Sequence, residues 1–269
     1  MTIQIERART FVEANGTAID RARLQALLER HALTSVPEPL AVLQQADGGF
    51  PSELVAGRPS SLITTATVLR WLHDLRQSES ELASRAIQFI ESRQTPRGIW
   101  RENPVLQSYD PQPWMDPDSP AADVYITALC AGTLVVLSND ELAADQAVSW
   151  LQTQQGRDGL LIGFKAHSSW LALPAFAQIL GQETRATRRL VAGLGSILEA
   201  EWTASMLTGL LQALVDADYT LRTEVTARAW QMLQAAQQPD GSFTVEEGDD
   251  PVQTTLQAIA IAQRLTGRS

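Results

Sequence analysis

The stretch that decides the fold is "AIQFIESRQTPRGIW", residues 86–100, which ends a helical pattern with Gln94, Gly98 and Trp100. The order is glutamine, three residues, glycine, one residue and a large apolar residue. The same order and spacing recur in three further places: Gln44/Gly48/Phe50, Gln155/Gly159/Leu161 and Gln237/Gly241/Phe243. Four copies at one spacing indicate a protein built from structural repeats.

The segments on the two sides of each turn have different polarity. Those before it, such as "SESELASRAIQFIESRQ" (78–94), place apolar residues three and four apart, which predicts a helix with one buried face. Those after it, such as "AADVYITALCAGTLVVL" (121–137), are apolar on most sides and predict a helix covered all round. This alternation favours an all-α toroid of two concentric layers.

The pattern predicts twelve helices, or six hairpins, in one α/α6 toroid that spans residues 1–269 as a single domain. Ser119-Pro120 and Asp250-Pro251 place a capping side chain before a proline at the predicted start of two inner helices. The first pair of predicted helices carries no copy of the repeat. The copy expected after the predicted helix 184–198 lacks its glutamine and its glycine. The predicted helices are 3–14, 18–31, 36–46, 60–76, 80–95, 121–138, 141–155, 167–181, 184–198, 202–217, 222–238 and 251–266.

Composition excludes several classes of function. The net charge of -10 and the absence of a basic stripe argue against nucleic acid as a partner. The first ten residues lack a secretory pattern and Cys130 is the single cysteine, so the expectation is a cytoplasmic protein. The apolar run from Val124 to Leu137 is shorter than the roughly 20 residues of a membrane span and predicts a buried helix. Membrane attachment has no support in the sequence.

The repeats resemble the Gln-Trp repeats of the squalene-hopene cyclase and oxidosqualene cyclase family. The two layers are similar to the α/α toroid that this family shares with the β subunits of protein prenyltransferases. The resemblance covers nearly the whole chain and implies a barrel whose inner-helix ends surround an apolar, often aromatic, isoprenoid cavity. It also implies a structural role for the four glutamines, and we expect their amides to satisfy free carbonyls near the helix C-termini.

The loop at residues 101–120 interrupts the repeats and leads into residues 123–128, Asp-Val-Tyr-Ile-Thr-Ala. This hexapeptide resembles the Asp-x-Asp-Asp-Thr-Ala motif of class II terpene cyclases, with the two middle acids replaced. Asp123 keeps the first acidic position, and Tyr125 stands where the family has its proton donor. Because a phenol with a pKa near 10 is a poor acid for an alkene, Asp123 is the leading candidate acid.

Each acidic candidate also has a structural explanation. Asp123 in a first helical turn interacts favourably with the helix dipole. Asp116 and Asp118, in the preceding loop, either supply an acid or bind a cation, or they are solvated turn formers.

Aromatic residues offer a candidate binding surface. We expect five side chains to lie together at the end of the barrel where the inner helices begin: His167, Trp170, Trp202, Asp123 and Tyr125. Such a group forms a cation-stabilising aromatic pocket with a titratable imidazole. Trp114, in the loop, is a further candidate for lining it. The alternative is that these side chains only pack.

The sequence predicts neither a metal nor a cofactor. Cys130 alone cannot supply the ligands of a prenyltransferase zinc site or of a lanthionine cyclase site. The favoured function is a terpenoid cyclase-like, isoprenoid-processing protein whose partner is an apolar small molecule. A non-catalytic toroid that binds a lipid-like ligand or a protein partner stays open. A glycan-active α/α6 barrel is the third alternative.

Overall fold

A computed structural model describes residues 2–29, 36–138, 141–198 and 202–267 and confirms the all-α architecture. The helices are α1 (Ile5–Asn15), α2 (Ala18–Glu29), α3 (Glu38–Ala41), α4 (Leu62–Asp74), α5 (Glu81–Ser92), α6 (Pro120–Leu137), α7 (Glu141–Thr153), α8 (Lys165–Ala175), α9 (Arg185–Ser196), α10 (Ala204–Asp216), α11 (Glu224–Ala236) and α12 (Pro251–Thr266). Two short antiparallel strands, β1 (Phe50–Pro51) and β2 (Ser60–Ser61), pair within the first repeat turn.

Alternate helices form a closed inner ring. Helices α2, α4, α6, α8, α10 and α12 each contact the inner helix before and after them, and α12 returns to α2. The outer helices pack against this ring, and the core consists of the apolar side chains between the layers. The predicted α/α6 toroid is therefore confirmed.

The repeat glutamines fasten consecutive outer helices to one another. Each side-chain Nε2 donates to a carbonyl at the start of the next outer helix: Gln44 to Leu82 (2.9 Å), Gln94 to Ala143 (2.8 Å), Gln155 to Ala186 (3.0 Å) and Gln237 to Gln4 (3.2 Å). The last of these bonds closes the outer layer. The structural role is confirmed. Three of these glutamines also donate to the glycine carbonyl of their own turn. The expected acceptors at the end of the same helix were wrong, because the other carbonyl belongs to the next outer helix.

The repeat glycines allow the turns to approach that next helix. Gly159 has a φ of +88°, and a Cβ atom built on it would lie 2.2 Å from the carbonyl oxygen of Arg189. The other three repeat glycines also have positive φ. Both the backbone conformation and the close approach therefore require glycine.

The apolar residue of each repeat ties the turn to the inner layer. All four are buried: Phe50, Trp100, Leu161 and Phe243. In three copies the backbone N–H of this residue donates to a hydroxyl on the following inner helix: Phe50 to Thr65, Trp100 to Thr127 and Leu161 to Ser169. One short motif thus joins an outer helix, its turn and the next inner helix.

We call the contact between two consecutive outer helices a joint. At the fifth joint, between α9 and α11, the repeat is eroded and a different side chain makes the contact. Arg228 of α11 donates through Nη2 to the carbonyl of Leu198, at 2.7 Å. Arg85 and Arg189 make the corresponding contact in two intact copies, to Gln45 and Gly156. The fifth joint therefore keeps the arginine and lacks the glutamine.

Two predicted helices are shorter than expected. The segment 36–46 forms only α3. Pro37 and Pro39 stand at its start, where a missing N–H costs nothing, and after Leu40 the chain turns tightly through i→i−3 bonds. Helix α8 ends at Ala175 and continues as a π-helical turn, Phe176–Leu180, directly after Pro174. His31 and the end of the predicted helix 18–31 lie outside the described residues.

The predicted caps of two inner helices are confirmed. Ser119 accepts from the N–H of Ala122, and Asp250 accepts from that of Val252 at 2.8 Å, each before a proline at the first helical position. Helix α6 is the one helix in the described part of the chain that is long and apolar enough to cross a membrane. Most of its side chains are buried inside the ring, as predicted for this segment.

Candidate functional site

The ring encloses a central cavity of about 190 Å³ to which all six inner helices contribute. Because one outer helix separates consecutive inner helices, the inner helices run in the same direction. We call the end at which they begin, near Leu62, Pro120, Lys165, Ala204 and Pro251, the mouth. The lining mixes apolar side chains with Thr67 and Gln257, and it carries Arg70, Asp74 and Asp216 at the end opposite the mouth.

An ion pair crosses the ring at the end opposite the mouth. Arg70 on α4 donates to Asp216 on α10 at 2.8 Å, and these helices lie opposite each other in the ring. Arg264 and Gln212 also donate to Asp216. Burial by itself raises the pKa of Asp216, but Arg70 and Arg264 outweigh it and hold the pKa below its ordinary value.

A second charged group joins the last inner helix to the first two. Arg23 on α2 donates to Asp74 on α4 at 2.8 and 3.2 Å and to Gln253 on α12. Its guanidinium lies 5.1 Å from the centre of the Trp71 ring, a cation–π contact. Arg23 is among the largest fully buried side chains, so it depends on these partners.

Aromatic rings close the cavity toward the mouth. Trp170 lines the cavity, and its ring centre lies 4.4 Å from that of His167 and 5.8 Å from that of Trp202. Gly209 on α10 leaves room for the indole, because a Cβ atom there would lie 3.2 Å from it. Trp170 is 5% exposed, so little of its side chain is open to solvent. The predicted grouping of His167, Trp170 and Trp202 is present.

Tyr125 lies at the mouth beside a residue that the sequence analysis missed. Its ring meets that of Phe164 edge-on, with centres 6.0 Å apart. Burial, and then the charge of Asp249, raises the pKa of Tyr125 to about 12. The phenol is therefore neutral and an even weaker acid than an exposed tyrosine.

Asp123 is engaged by a neighbouring arginine. Arg101, from the preceding loop, donates through Nε to Oδ1 at 2.7 Å and through Nη2 to Oδ2. Hydrogen bonding and the charge of Asp123 raise the pKa of the Arg101 guanidinium. Both oxygens of the Asp123 carboxylate therefore accept hydrogen bonds from one guanidinium.

The other three candidates, Asp116, Asp118 and Trp114, lie in the loop before α6. Asp116 accepts from the N–H of Asp118 at 2.9 Å, and its carbonyl accepts from Ser119, the cap of α6. This is the geometry of the turn-forming alternative. Trp114 is 39% exposed, in a short 3₁₀ helix that packs on α6.

Comparison with known proteins gives structural but not sequence relatives. No family model matches the chain, and no curated protein matches it significantly. Type II terpene cyclase MstE from Scytonema superposes with a TM-score of 0.60 at 14% identity, over 96% of this chain and 86% of that one. A protein from Actinoplanes gives 0.61 and 19%, over 97% and 89%. The ent-copalyl diphosphate synthase from Streptomyces platensis gives 0.56 and 18%, over 93% of this chain and half of that one.

The chain has the terpenoid cyclase-like α/α toroid fold. At these identities the likeness shows the fold alone. Within the described residues of this terpenoid cyclase-like toroid, no group of three or more His, Cys, Asp or Glu side chains is placed to hold a metal ion.

Two acidic residues that the sequence did not mark as candidates are Glu246, which lies near His167, and Glu102, which lies at the start of α4. Glu246 places Oε2 3.7 Å from Nε2 of His167. Burial lowers the pKa of His167, while Glu246 opposes the shift. No motif marks Glu246, because it lies in an acidic loop, "EEGDD", nearly 80 residues from His167 in the sequence.

The second missed acid, Glu102, is 1% exposed. Its carboxylate accepts from Ser61 at 2.6 Å and from the N–H groups of Leu62 and Ile63 at 3.0 Å, at the start of α4. Burial raises the pKa of Glu102, and these hydrogen bonds oppose the shift. Because both oxygens accept from the helix N-terminus, we interpret Glu102 as a cap of α4.

Proposed function

We propose that the mouth binds an apolar isoprenoid and that the protein holds this molecule without protonating it. The observation that carries the proposal is the aromatic group of Tyr125, Phe164, Trp170 and Trp202 at the mouth of a terpenoid cyclase-like toroid. Aromatic side chains give a large apolar contact area to a branched hydrocarbon chain.

The structural neighbours support this class of ligand. MstE has been solved with geranylgeranyl dihydroxybenzoate as its substrate and with merosterolic acid A as its product. Those ligands belong to MstE. The shared fold, together with the aromatic mouth, is the reason for proposing an isoprenoid here.

The acid groups favour binding over cyclisation. Protonation of an isolated alkene needs a carboxylic acid in its protonated form. Asp123 is paired with Arg101, and Tyr125 has a pKa of about 12. We therefore assign Tyr125 to the lining of the mouth and Asp123 to holding the loop through Arg101. Asp116 and Asp118 are assigned to the turn before α6.

Binding and turnover are tested together with the purified chain. Farnesol, geranylgeraniol, geranylgeranyl diphosphate and squalene are each incubated with it, followed by product analysis by gas chromatography and by thermal-shift titration. We expect at least one of these to raise the melting temperature saturably and to be recovered unchanged. Trp202→Ala is expected to weaken that binding about tenfold or more, because a large apolar contact is lost.

The matched control is Trp150→Ala, on the outer helix α7, which is expected to leave the affinity unchanged. A cyclised product that disappears with Asp123→Asn would show that the chain is a cyclase and that the Arg101 pair opens during turnover. If no isoprenoid binds or reacts, the proposal is wrong.

A further inference from the structure

The central cavity combines apolar walls with polar side chains that the aromatic mouth does not explain. Apolar residues such as Leu171 and Pro174 share its lining with four residues that carry hydrogen-bond donors. Apolar walls with a small number of polar groups are typical of sites for small molecules. The four residues with donors are Trp71, Thr133, Trp170 and Gln257.

The charged residues at the end of the cavity opposite the mouth are paired with one another. Arg23 lies 2.8 Å from Asp74 and 3.6 Å from Asp20, and Asp216 accepts from two arginines. A charged ligand would add an unpaired charge to this enclosed group, and such a charge is costly. The cavity therefore favours a neutral molecule. The three cations that balance the three anions are Arg23, Arg70 and Arg264 against Asp20, Asp74 and Asp216.

The four donors of the lining have no acceptor in the part of the chain that the structure describes. They are the indole N–H groups of Trp71 and Trp170, the hydroxyl of Thr133 and the amide Nε2 of Gln257. Thr208 donates to Oε1 of Gln257 at 3.0 Å, which fixes the amide and leaves its nitrogen unpaired. An oxygen atom from a bound molecule would accept from these groups.

The four donors also keep surface that a ligand can reach. The described residues bury just three side-chain nitrogen or oxygen atoms that lack a partner, in Arg70, Ser168 and Thr226. None of the four donors is among these atoms, so each has accessible surface. Gln212 adds an acceptor to the lining, because its Nε2 donates to Asp216 while its Oε1 has no donor among the described residues.

We propose that the central cavity binds the hydroxyl group of a short isoprenoid alcohol through the unpaired donors of its lining. A hydroxyl both accepts and donates, so it matches these donors together with Oε1 of Gln212. The volume of about 190 Å³ is below the range of about 300 to 1,000 Å³ of typical ligand sites, which favours a short chain. This inference rests on the isoprenoid function proposed above and names the polar group of the ligand.

An alcohol fits this lining better than water alone. Water also accepts from the four donors, but it leaves the apolar walls beside Leu171 and Pro174 hydrated. A branched hydrocarbon chain that ends in a hydroxyl covers those walls and satisfies the donors in the same binding event.

Isothermal titration of the full chain tests the proposal with geraniol and with myrcene, which has a similar branched carbon chain but no hydroxyl. We expect geraniol to bind saturably at one site per chain. Removing the donor that holds its hydroxyl should weaken geraniol about fivefold, as for one neutral hydrogen bond, and leave the affinity for myrcene unchanged. The four single variants are Trp71→Phe, Thr133→Val, Trp170→Phe and Gln257→Met.

Thr133→Val is the cleanest of these variants, because the hydroxyl that it removes makes no hydrogen bond within the described part of the protein. Its matched control is Thr226→Val, on the outer helix α11, where the hydroxyl is also unpaired but lies outside the cavity lining. This control is expected to leave the affinity for geraniol unchanged.

The outcomes separate this inference from the proposed function. If geraniol and myrcene both bind and every variant changes them equally, the hydroxyl site is wrong while the isoprenoid proposal stands. If 1-octanol shows the expected dependence on the variants and no isoprenoid binds, the hydroxyl site stands and the isoprenoid function is wrong. The absence of saturable binding for both alcohols overturns the inference and leaves the cavity to water.

Discussion

The outer and inner layers of the ring are closed in different ways. Every intact outer joint shares the same neutral groups, a glutamine amide, a glycine turn and a buried apolar residue. Two of these joints add an arginine that donates to a turn carbonyl. The inner layer is closed by charged residues that do not recur, with Arg70 and Arg264 on Asp216 and Arg23 on Asp74. The repeated joints therefore specify the architecture, and the charges of the inner layer are particular to this chain.

The largest effect is expected at an outer joint. Gly159→Ala combines two costs, because the residue has a φ of +88° and its new Cβ would lie 2.2 Å from the carbonyl oxygen of Arg189. We expect the free energy of unfolding to fall by about 3 to 5 kcal/mol, from left-handed strain together with overpacking. Chemical denaturation measures it.

Gly57→Ala is the matched control for this substitution. Gly57 has the same φ of +88°, but no atom lies within 4 Å of its added Cβ. Only the conformational cost of about 1 to 2 kcal/mol is expected there. Equal losses in the two variants would show that the close approach contributes nothing to the joint.

The inner layer is tested by Asp216→Asn. The change leaves Arg70 and Arg264 without their common anion, and we expect a loss of about 3 kcal/mol. This is the lower end for a broken buried pair, because both arginines are partly solvated. Asp145→Asn, at an exposed position on the outer helix α7, is the control and should have little effect.

The same pair has a defined dependence on pH. Because the folded protein depresses the pKa of Asp216, the stability from this residue is present above its ordinary value of 3.8 and is lost as the pH falls through the folded-state pKa. The difference in unfolding free energy between the wild type and Asp216→Asn should therefore shrink in acid. A difference that stays constant from pH 6 to pH 3 would contradict the assigned charge pair.

The smallest effect is expected from a single glutamine. Gln155→Ala removes two hydrogen bonds, to Gly159 at 2.8 Å and to Ala186 at 3.0 Å, and should cost about 1 to 2 kcal/mol. Gln152→Ala, at an exposed position near the end of α7, is the control. A larger loss for Arg228→Ala than for Arg189→Ala would show that the arginine contributes more to the joint where the glutamine is missing.

The candidate site was only partly predictable from the sequence. The grouping of His167, Trp170 and Trp202 followed from their places near inner-helix starts, and the structure brings them together. The partner of Asp123 could not be predicted in this way. Arg101 comes from a loop without periodicity, and its reach to the helix depends on how that loop folds.

The sequence by itself determined the ring, because the repeat chemistry and the alternation of helix polarity act over short distances that spacing records. The tertiary structure decided the charges inside it. Asp216 meets Arg70 from 146 residues away, and Arg23 meets Gln253 from 230 residues away. Such partners are chosen by ring closure, which brings distant helices together without leaving a local pattern.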